Sequence, residues 1–176
     1  MFKPYSNYHK GLKNEIEKIA KNPKAIFIGQ QVQSESFYGL LDNIALDKRT
    51  EMPVVEELQL GMSIGLAMEG YLPFSIYQRM DFLPRAADQL INHLNLIKIH
   101  SKGLYNPKII LFTTIGLKNT GLQHSKNLIK GLRILCNNIK IYDLNTTLGI
   151  KEVFKTIIKS KNSSIIVARQ NLFYKN

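Results

Sequence analysis

Five short apolar segments, separated by stretches with helical or loop character, constrain the fold of this 176-residue chain more than any other feature. They are KAIFIG (24–29), LPFSIY (72–77), KIILFTT (108–114), IKIYDL (139–144) and SSIIVAR (163–169). Each has the length of a buried β-strand, and each is nearly continuous in hydrophobicity, as parallel strands covered on both faces are. The sequence therefore predicts one α/β domain over residues 1–176, with a mostly parallel sheet between two layers of helices.

Helical periodicity fills most of the intervals between these segments. The apolar stripes are Leu12, Ile16, Ile19 and Ala20; Leu83, Ala87, Leu90, Leu94 and Ile97; Leu128, Leu132 and Leu135; and Ile150, Phe154 and Ile157. Asp81, Ser125 and either Thr146 or Thr147 are candidate N-caps, because short polar side chains accept hydrogen bonds from the first turn. Residues 30–50 lack periodicity, and we expect them to be irregular and polar.

The segment MPVVEELQLGMSIGLAMEGYLPF (52–74) differs from an ordinary surface helix. Between Gln59 and Glu69 its only polar side chain is Ser63. Gly61 and Gly65 lie in its middle, where each costs about 1 kcal/mol relative to alanine. These features predict a buried helix whose glycines allow another helix or a ligand to approach closely.

Two adjacent carboxylates, Glu56 and Glu57, open this apolar helix. Pro53 precedes it, and Gly70 fits the position just past its C-terminus. Acids in a first turn are ordinarily explained by the helix dipole, which contributes about 0.3–1 kcal/mol. That explanation is sufficient for Glu57, and from the residues alone it is also the simpler one for Glu56.

Composition narrows the classes of protein that this chain can be. It has no apolar stretch of the roughly 18 residues that span a membrane, no secretory signal pattern at its start, and a single cysteine, Cys136. We therefore expect a cytoplasmic protein without a disulfide framework. The net charge of +11 is compatible with a nucleic-acid or acidic partner, but no RNA-binding or zinc-finger motif supports one, and a lysine-rich surface explains it better.

Motifs for other chemistries are absent from the sequence. No Gly-x-Gly-x-x-Gly or Walker motif follows a predicted strand, and the four histidines lack metal-ligand spacing. We expect His93 to lie on the surface and Cys136 to be an inert core residue. His124 beside Ser125 has no Gly-x-Ser-x-Gly context, so a helix cap is the better interpretation of Ser125. The residues alone indicate only an α/β domain.

The stretch EELQLGMSIGLAMEGYLPFSIYQRMDFLPRAADQLINH (56–93) resembles the pyrimidine-binding domain of the transketolase-like, thiamine-diphosphate-dependent enzymes. The likeness is greatest to the beta subunit of pyruvate and branched-chain 2-oxoacid dehydrogenases. The matching pieces are Glu56, Gly61, Gly65, AMEG (67–70), DF (81–82) and DQLIN (88–92), with NPKAIFIG (22–29) and GLQHS (121–125). They occur in the family's order over roughly residues 11 to 170.

This resemblance implies roles for three residues. The carboxyl group of Glu56 would hydrogen-bond N1′ of the aminopyrimidine ring of thiamine diphosphate, which favours the imino tautomer that deprotonates the thiazolium C2. The resulting carbanion attacks a 2-oxo acid or a ketose. Phe82 matches the aromatic residue that packs on the pyrimidine ring, and His124 matches a catalytic loop histidine near the mouth of the active site.

The resemblance also implies a partner. In the family a separate domain with a Gly-Asp-Gly motif holds the diphosphate and Mg²⁺, and this chain has no such motif and stops about where beta subunits begin their C-terminal domain. We therefore expect a subunit that is inactive alone and works with a diphosphate-binding, alpha-type subunit, in a heterotetramer or with a dimer of this chain within it. SKNSS (160–164) replaces an acidic cation-site residue, so Lys161 would stand for the ion and no metal is expected.

Two departures from the family pattern leave the integrity of the site open. Gln30 and Gln31 follow the first strand, where the family has acidic residues, and TTIGLKNTG (113–121) replaces a glycine-rich loop. One alternative is a non-catalytic interaction or regulatory subunit that retains the fold. The other is a nucleic-acid-binding protein, which the net charge alone favours.

Overall fold

A six-stranded sheet forms the centre of the domain in the computed structural model, which describes residues 4–117, 119 and 121–175. The strands are β1 (Ala25–Gly29), β2 (Arg49–Glu51), β3 (Leu72–Tyr77), β4 (Ile110–Ile115), β5 (Lys140–Asp143) and β6 (Ser164–Arg169). Their order is β2-β1-β3-β4-β6-β5, and every pairing is parallel. The predicted parallel α/β domain is confirmed, and all five predicted strands are present.

Helices cover both faces of this sheet. They are α1 (Asn7–Ala20), α2 (Ser36–Gly39), α3 (Glu56–Met68), α4 (Ile97–His100), α5 (Ile129–Leu135) and α6 (Ile150–Lys159). Of these, α2 is a single turn in which all four residues have positive φ angles. Phe27, Phe74 and Phe112 pack beneath α1 and α6 in one core, while Leu111 and Val167 face a second core beneath α3 and α5. Because successive strand residues point to opposite faces, neighbours such as Leu111 and Phe112 serve different cores. The domain has three layers, as predicted.

Residues 30–50 are more ordered than their sequence indicates. They contain β2, which extends the sheet at its edge, with Phe27 opposite Arg49 and Gly29 opposite Glu51. They also supply five buried hydrophobic side chains: Val32, Phe37, Leu40, Leu41 and Ile44. Most of the segment is irregular, as expected, but it is not only polar, and β2 was missed because its three-residue sequence, RTE, carries no hydrophobic pattern.

The predicted helix after β3 is not a regular α-helix. Met80–Ala86 forms a 3₁₀-helix that contains Pro84, and Gln89–Leu94 forms a π-helix, before α4 begins at Ile97. Leu83, Leu90 and Leu94 of the predicted stripe are nevertheless buried. Asp81 does not cap this segment, since Arg79 occupies the N-cap position without a side-chain bond.

The other two predicted caps are also wrong. The hydroxyl of Ser125 donates to the carbonyl of Gly121, and α5 begins only at Ile129, whose N–H donates to Asn127 Oδ1 at 3.1 Å. α6 begins at Ile150, after Gly149 in the left-handed conformation with φ 85°, rather than at a threonine. A left-handed residue there favours glycine, and it sets the direction in which the chain enters the helix.

Helix α3 ends as its sequence predicts. Gly70 has φ 81°, its N–H donates to Ala67, and the N–H of Tyr71 donates to Leu66, which together form a Schellman motif. α3 connects the parallel strands β2 and β3, so it starts at the carboxyl end of the sheet and runs back along it. In the described part of the chain, no helix has the length and hydrophobicity needed to cross a membrane.

Candidate functional site

The carboxyl ends of β1, β3 and β4 and the start of α3 form the candidate site. The strand order reverses at β1, which has β2 on one side and β3 on the other. In open parallel sheets such a reversal leaves a crevice at the carboxyl ends, where ligands bind. The buried hydroxyl of Tyr77, the last residue of β3, donates to the carbonyl of Glu56 at 3.4 Å and fixes the start of α3 over this edge. Burial raises the pKa of the Tyr77 phenol, so it remains a donor.

Glu56 is buried at the first position of α3, with 3% of its side chain exposed. Its Oε2 lies 2.8 Å from Nε of Arg85, a side chain that is 62% exposed. This contact is an ion pair without hydrogen-bond geometry, and Oε2 accepts no hydrogen bond from any described residue. A buried carboxylate oxygen normally has a hydrogen-bond donor, and Oε2 is therefore open to one from a ligand.

An open cavity of about 540 Å³ adjoins this carboxylate. It is lined by Val54, Val55, Glu56, Glu57, Leu58, Gly61, Met62, Arg85 and Gln89. The volume is in the range of cavities that hold small molecules, and the combination of apolar walls with a few charged groups is typical of them. A side chain at Gly61 would project toward the amide of Gln89, 3.7 Å away, so glycine keeps the cavity wide at that point.

The face of α3 that lies on the sheet is polar. Gln59 and Ser63 are buried there, and the Gln59 amide donates to the carbonyl of Ile76 at 2.9 Å and to the hydroxyl of Ser75 at 3.1 Å. The hydroxyl of Ser63 lies 3.1 Å from that of Ser75 and donates to the carbonyl of Gln59 at 2.8 Å. These bonds satisfy the buried polar groups and fix the rotation of α3, which turns Glu56 inward.

The opposite face of α3, which we call the outer face, is apolar and exposed. It comprises Leu58, Met62, Gly65 and Met68, with Leu58 56% and Met62 38% exposed. A Cβ at Gly65 would meet no atom within 4 Å. The prediction of a buried helix is therefore wrong for half of its circumference. Leu58 and Met62 also line the cavity, so the outer face is continuous with it.

His124 lies beside Phe82, where the loop after β4 meets the segment after β3. Their rings are in an edge-to-face arrangement with centroids 5.7 Å apart. Nδ1 of His124 is 3.1 Å from Oδ2 of Asp81. This contact explains why Asp81 does not cap the helix, since its carboxylate is directed across to the histidine.

The structure divides the three predicted site residues into two groups. Phe82 and His124 are in contact, whereas neither of them lines the cavity beside Glu56. The 3₁₀-helix Met80–Ala86 connects the groups, because it carries Asp81, Phe82 and Arg85. Sequence reasoning missed Arg85 and the pairing of Asp81 with His124. No sequence signal pointed to Arg85, because its position depends on the 3₁₀ conformation of a segment that the sequence predicts as a regular helix.

Four other residues singled out in the sequence, Gln30, Gln31, Cys136 and His93, have the following positions. The Gln30 amide reaches the carbonyl of Pro53 at 3.5 Å, and the N–H of Gln31 donates to the carboxylate of Glu51, so both glutamines lie at the same edge of the sheet. Cys136 is fully buried and burial raises the pKa of its thiol to about 11, as expected of an inert core cysteine. His93 is exposed and contacts Asp88 at 3.2 Å, also as expected.

Two residues of the 113–121 loop, Lys118 and Thr120, lie outside the described residues. The expectation of no metal stays a prediction; Lys161 is exposed, and within the described residues no group of three or more His, Cys, Asp or Glu side chains comes together.

Curated relatives confirm the resemblance to dehydrogenase beta subunits. The chain is 26% identical over 158 residues to the pyruvate dehydrogenase E1 component subunit beta of Mesostigma viride, covering 83% of this chain and 46% of that protein. It is 25% identical over 162 residues to the chloroplastic subunit beta-3 of Arabidopsis thaliana, covering 89% and 39%. The chain thus spans about half or less of the length of these relatives. No protein-family model matches it.

A solved structure supports the fold independently. The domain superposes with a TM-score of 0.66 on a chain described as "Split gene transketolase, inactive beta4 tetramer", at 16% sequence identity, covering 93% of this chain and 50% of that one. The transketolase-like fold and the likeness to dehydrogenase beta subunits are therefore established. The roles of individual residues and the expected cytoplasmic location stay predictions, and relatives from Arabidopsis thaliana and Oryza sativa are named as chloroplastic.

Proposed function

We propose that this chain is the pyrimidine-binding subunit of a split thiamine-diphosphate-dependent enzyme that acts on a 2-oxo acid or a ketose. The observation that carries the proposal is the buried carboxylate of Glu56, whose Oε2 accepts no hydrogen bond from the described residues, in the lining of a cavity of about 540 Å³. The likeness to beta subunits of pyruvate dehydrogenase indicates which ligand such an oxygen would meet.

The residues present fit the pyrimidine half of the cofactor. Glu56 supplies a buried carboxyl group that shares a proton with a ring nitrogen, and the apolar walls at Val54, Leu58 and Met62 suit a flat heterocycle. Phe82 offers an aromatic face at the same edge of the sheet. When bound, thiamine diphosphate supplies a carbanion that adds to a carbonyl carbon, while the protein orients it and excludes water.

A diphosphate-binding subunit is the proposed partner, and it brings Mg²⁺ with the diphosphate. The sequence has no Gly-Asp-Gly motif, and within the part of the chain that the structure describes no three His, Cys, Asp or Glu side chains come together to hold such an ion. The cavity is open, and the apolar outer face of α3 continues from it. A partner seated on both would close the site, remove apolar surface from water and complete a heterotetramer.

One observation favours a second candidate, a non-catalytic subunit that retains the fold. Arg85 Nε lies 2.8 Å from the carboxylate that the cofactor would need, and a guanidinium there competes with a ring nitrogen. In the proposed enzyme the exposed Arg85 side chain swings outward when the cofactor binds. In the alternative the ion pair is permanent and the assembled complex carries no cofactor.

Glu56→Gln tests the proposal because it keeps the shape of the side chain and removes its acidic proton. In the complex purified through this chain, we expect turnover of 2-oxo acids or ketoses to fall about 1,000-fold or more, with assembly unchanged, in line with the loss of a general acid–base group. The matched control is Glu152→Gln, which changes the exposed first-turn acid of α6. Wild-type turnover in Glu56→Gln would contradict the proposed mechanism.

A further inference from the structure

We propose that Asp81 is a positioning residue that holds His124 as the proton donor and acceptor for the carbonyl oxygen of the substrate. This inference rests on the proposed function for its substrate, but the pairing itself can be tested without turnover. The two residues are 43 positions apart in sequence and meet only in the folded chain.

Within the described structure, the carboxylate of Asp81 makes no polar side-chain contact except the one with His124. Its side chain is 5% exposed, Oδ2 lies 3.1 Å from Nδ1 of His124, and Oδ1 is buried without a hydrogen-bond partner among the described residues. It does not cap the helix in which it lies. A buried carboxylate with one partner is costly to maintain, so the contact with His124 is the feature that accounts for an acid at this position.

His124 is held in place from two other directions. Its carbonyl accepts the N–H of Gly116 at 3.0 Å, which closes the loop after β4, and its ring packs edge-to-face on Phe82. The His124 side chain remains 30% exposed. Since Asp81 occupies Nδ1, Nε2 is the ring nitrogen left to meet a ligand, and it has no hydrogen-bond partner within the described residues.

This arrangement suits proton transfer at a carbonyl. An ionised carboxylate only accepts hydrogen bonds, so it keeps the proton of neutral His124 on Nδ1 and leaves the lone pair of Nε2 free. When a carbonyl carbon gains a new bond, its oxygen becomes an alkoxide and needs a proton. Nε2 takes up a proton from solvent, to which the His124 side chain is 30% exposed, and passes it to the alkoxide. The oxygen becomes a hydroxyl group, and the ring returns to the neutral state. The reverse transfer regenerates the carbonyl and the protonated ring.

The tautomer of neutral His124 tests the Asp81–His124 pairing directly. In ¹⁵N-labelled full-length chain, at a pH where the ring is neutral, long-range proton–nitrogen spectra should show the proton mainly on Nδ1. In Asp81→Asn the amide group can donate to Nδ1, so we expect the population to shift mainly to the Nε2–H form. Asp88→Asn is the matched control, because Asp88 contacts His93 in an exposed pair on the same segment and should leave His124 unchanged. An identical tautomer in wild type and Asp81→Asn would overturn the inference.

Turnover in the assembled complex gives the second readout. Asp81→Asn should lower kcat about 100-fold or more with thiamine diphosphate content unchanged, and Asp81→Glu, which restores the charge, should recover part of the loss. If Asp81→Asn does not fold, Asp81→Ser removes the carboxylate with a smaller side chain and serves for both measurements. If Asp81→Asn leaves kcat unchanged while Glu56→Gln is inactive, only the positioning role of Asp81 is overturned. If the wild-type complex is itself inactive, the proposed function is contradicted, and the tautomer measurement alone then tests the Asp81–His124 pairing.

Discussion

Helices α3 and α6 cover opposite faces of the same sheet, yet their polarity is arranged in opposite ways. α6 buries Ile150, Phe154 and Ile157 and exposes Lys151 and Lys155, as expected of an amphipathic helix at a protein surface. α3 buries Glu56, Gln59 and Ser63 along with Leu60 and Ile64, and it exposes Leu58, Met62 and Met68.

The difference indicates which helix is complete within this chain. The outward face of α6 is suited to water. The polar groups beneath α3 are satisfied by Ser75 and by strand carbonyls, while its outer face leaves apolar surface in water next to a cavity. Contiguous apolar patches of this kind are typical of interaction sites. We infer that α6 stabilises the domain and that α3 serves the proposed assembly and its cofactor.

Phe154→Ala in α6 should have the largest effect on the free chain. Phe154 is fully buried in the core beneath α1, and truncation of such a phenylalanine costs about 3–5 kcal/mol in free energy of unfolding. The matched change in α3 is Leu58→Ala, which should cost less than about 0.5 kcal/mol because Leu58 is exposed. Denaturant-induced unfolding of the isolated chain measures both, and equal losses would contradict the difference between the helices.

The double variant Leu58→Lys/Met62→Lys should break the complex and leave the fold intact. Central apolar contacts at interfaces contribute about 2 kcal/mol or more each, so association with the partner subunit should weaken at least about 100-fold. Ile158→Lys is the matched control, because Ile158 is an exposed apolar residue of α6. Mass photometry of the complex, purified through a tagged chain, measures how much of the double variant and of the control remains assembled. An intact complex in the double variant would exclude the outer face as the interface.

Gly65→Ala should have the smallest effect, and it should stabilise the free chain while it weakens association with the partner. In the free chain the added methyl group meets no atom within 4 Å, so alanine should raise the free energy of unfolding by up to about 1 kcal/mol. In the complex the same methyl group should obstruct the partner and weaken association. Gly131→Ala in α5, which also adds a methyl group in open space, should stabilise the chain and leave association unchanged. The same association constant in both variants would contradict close packing at Gly65.

The contrast also explains how far the sequence was informative. α6 was predictable because its stripe of Ile150, Phe154 and Ile157 has a 3.6-residue period with charged residues between. α3 places its few polar side chains, Gln59 and Ser63, on its buried face, so its sequence indicated a helix but not its rotation. Its orientation depends on hydrogen bonds from Gln59 to Ser75 and to the carbonyl of Ile76, groups of a strand that follows α3 in the chain.

The residues of the candidate site were also only partly predictable from the sequence. Glu56 and its apolar helix could be identified from a resemblance carried by local motifs. The pairs Glu56–Arg85 and Asp81–His124 could not, because each joins residues that are distant in sequence. Glu56 and Arg85 meet only when α3 packs beside β3, and Asp81 and His124 meet only when β3 and β4 lie side by side. The preference of Asp81 for capping a helix was real but weaker than its contact with His124 in the folded chain.

The most direct test of the central claim is the thiamine diphosphate content of the native complex, purified through this chain with wild-type Glu56. About one cofactor per chain, lost in Glu56→Gln, is the result that we predict for half of an active site completed by a partner. A complex that carries no cofactor, even after addition of thiamine diphosphate and Mg²⁺, would contradict the account and make this chain a binding subunit that retains the fold.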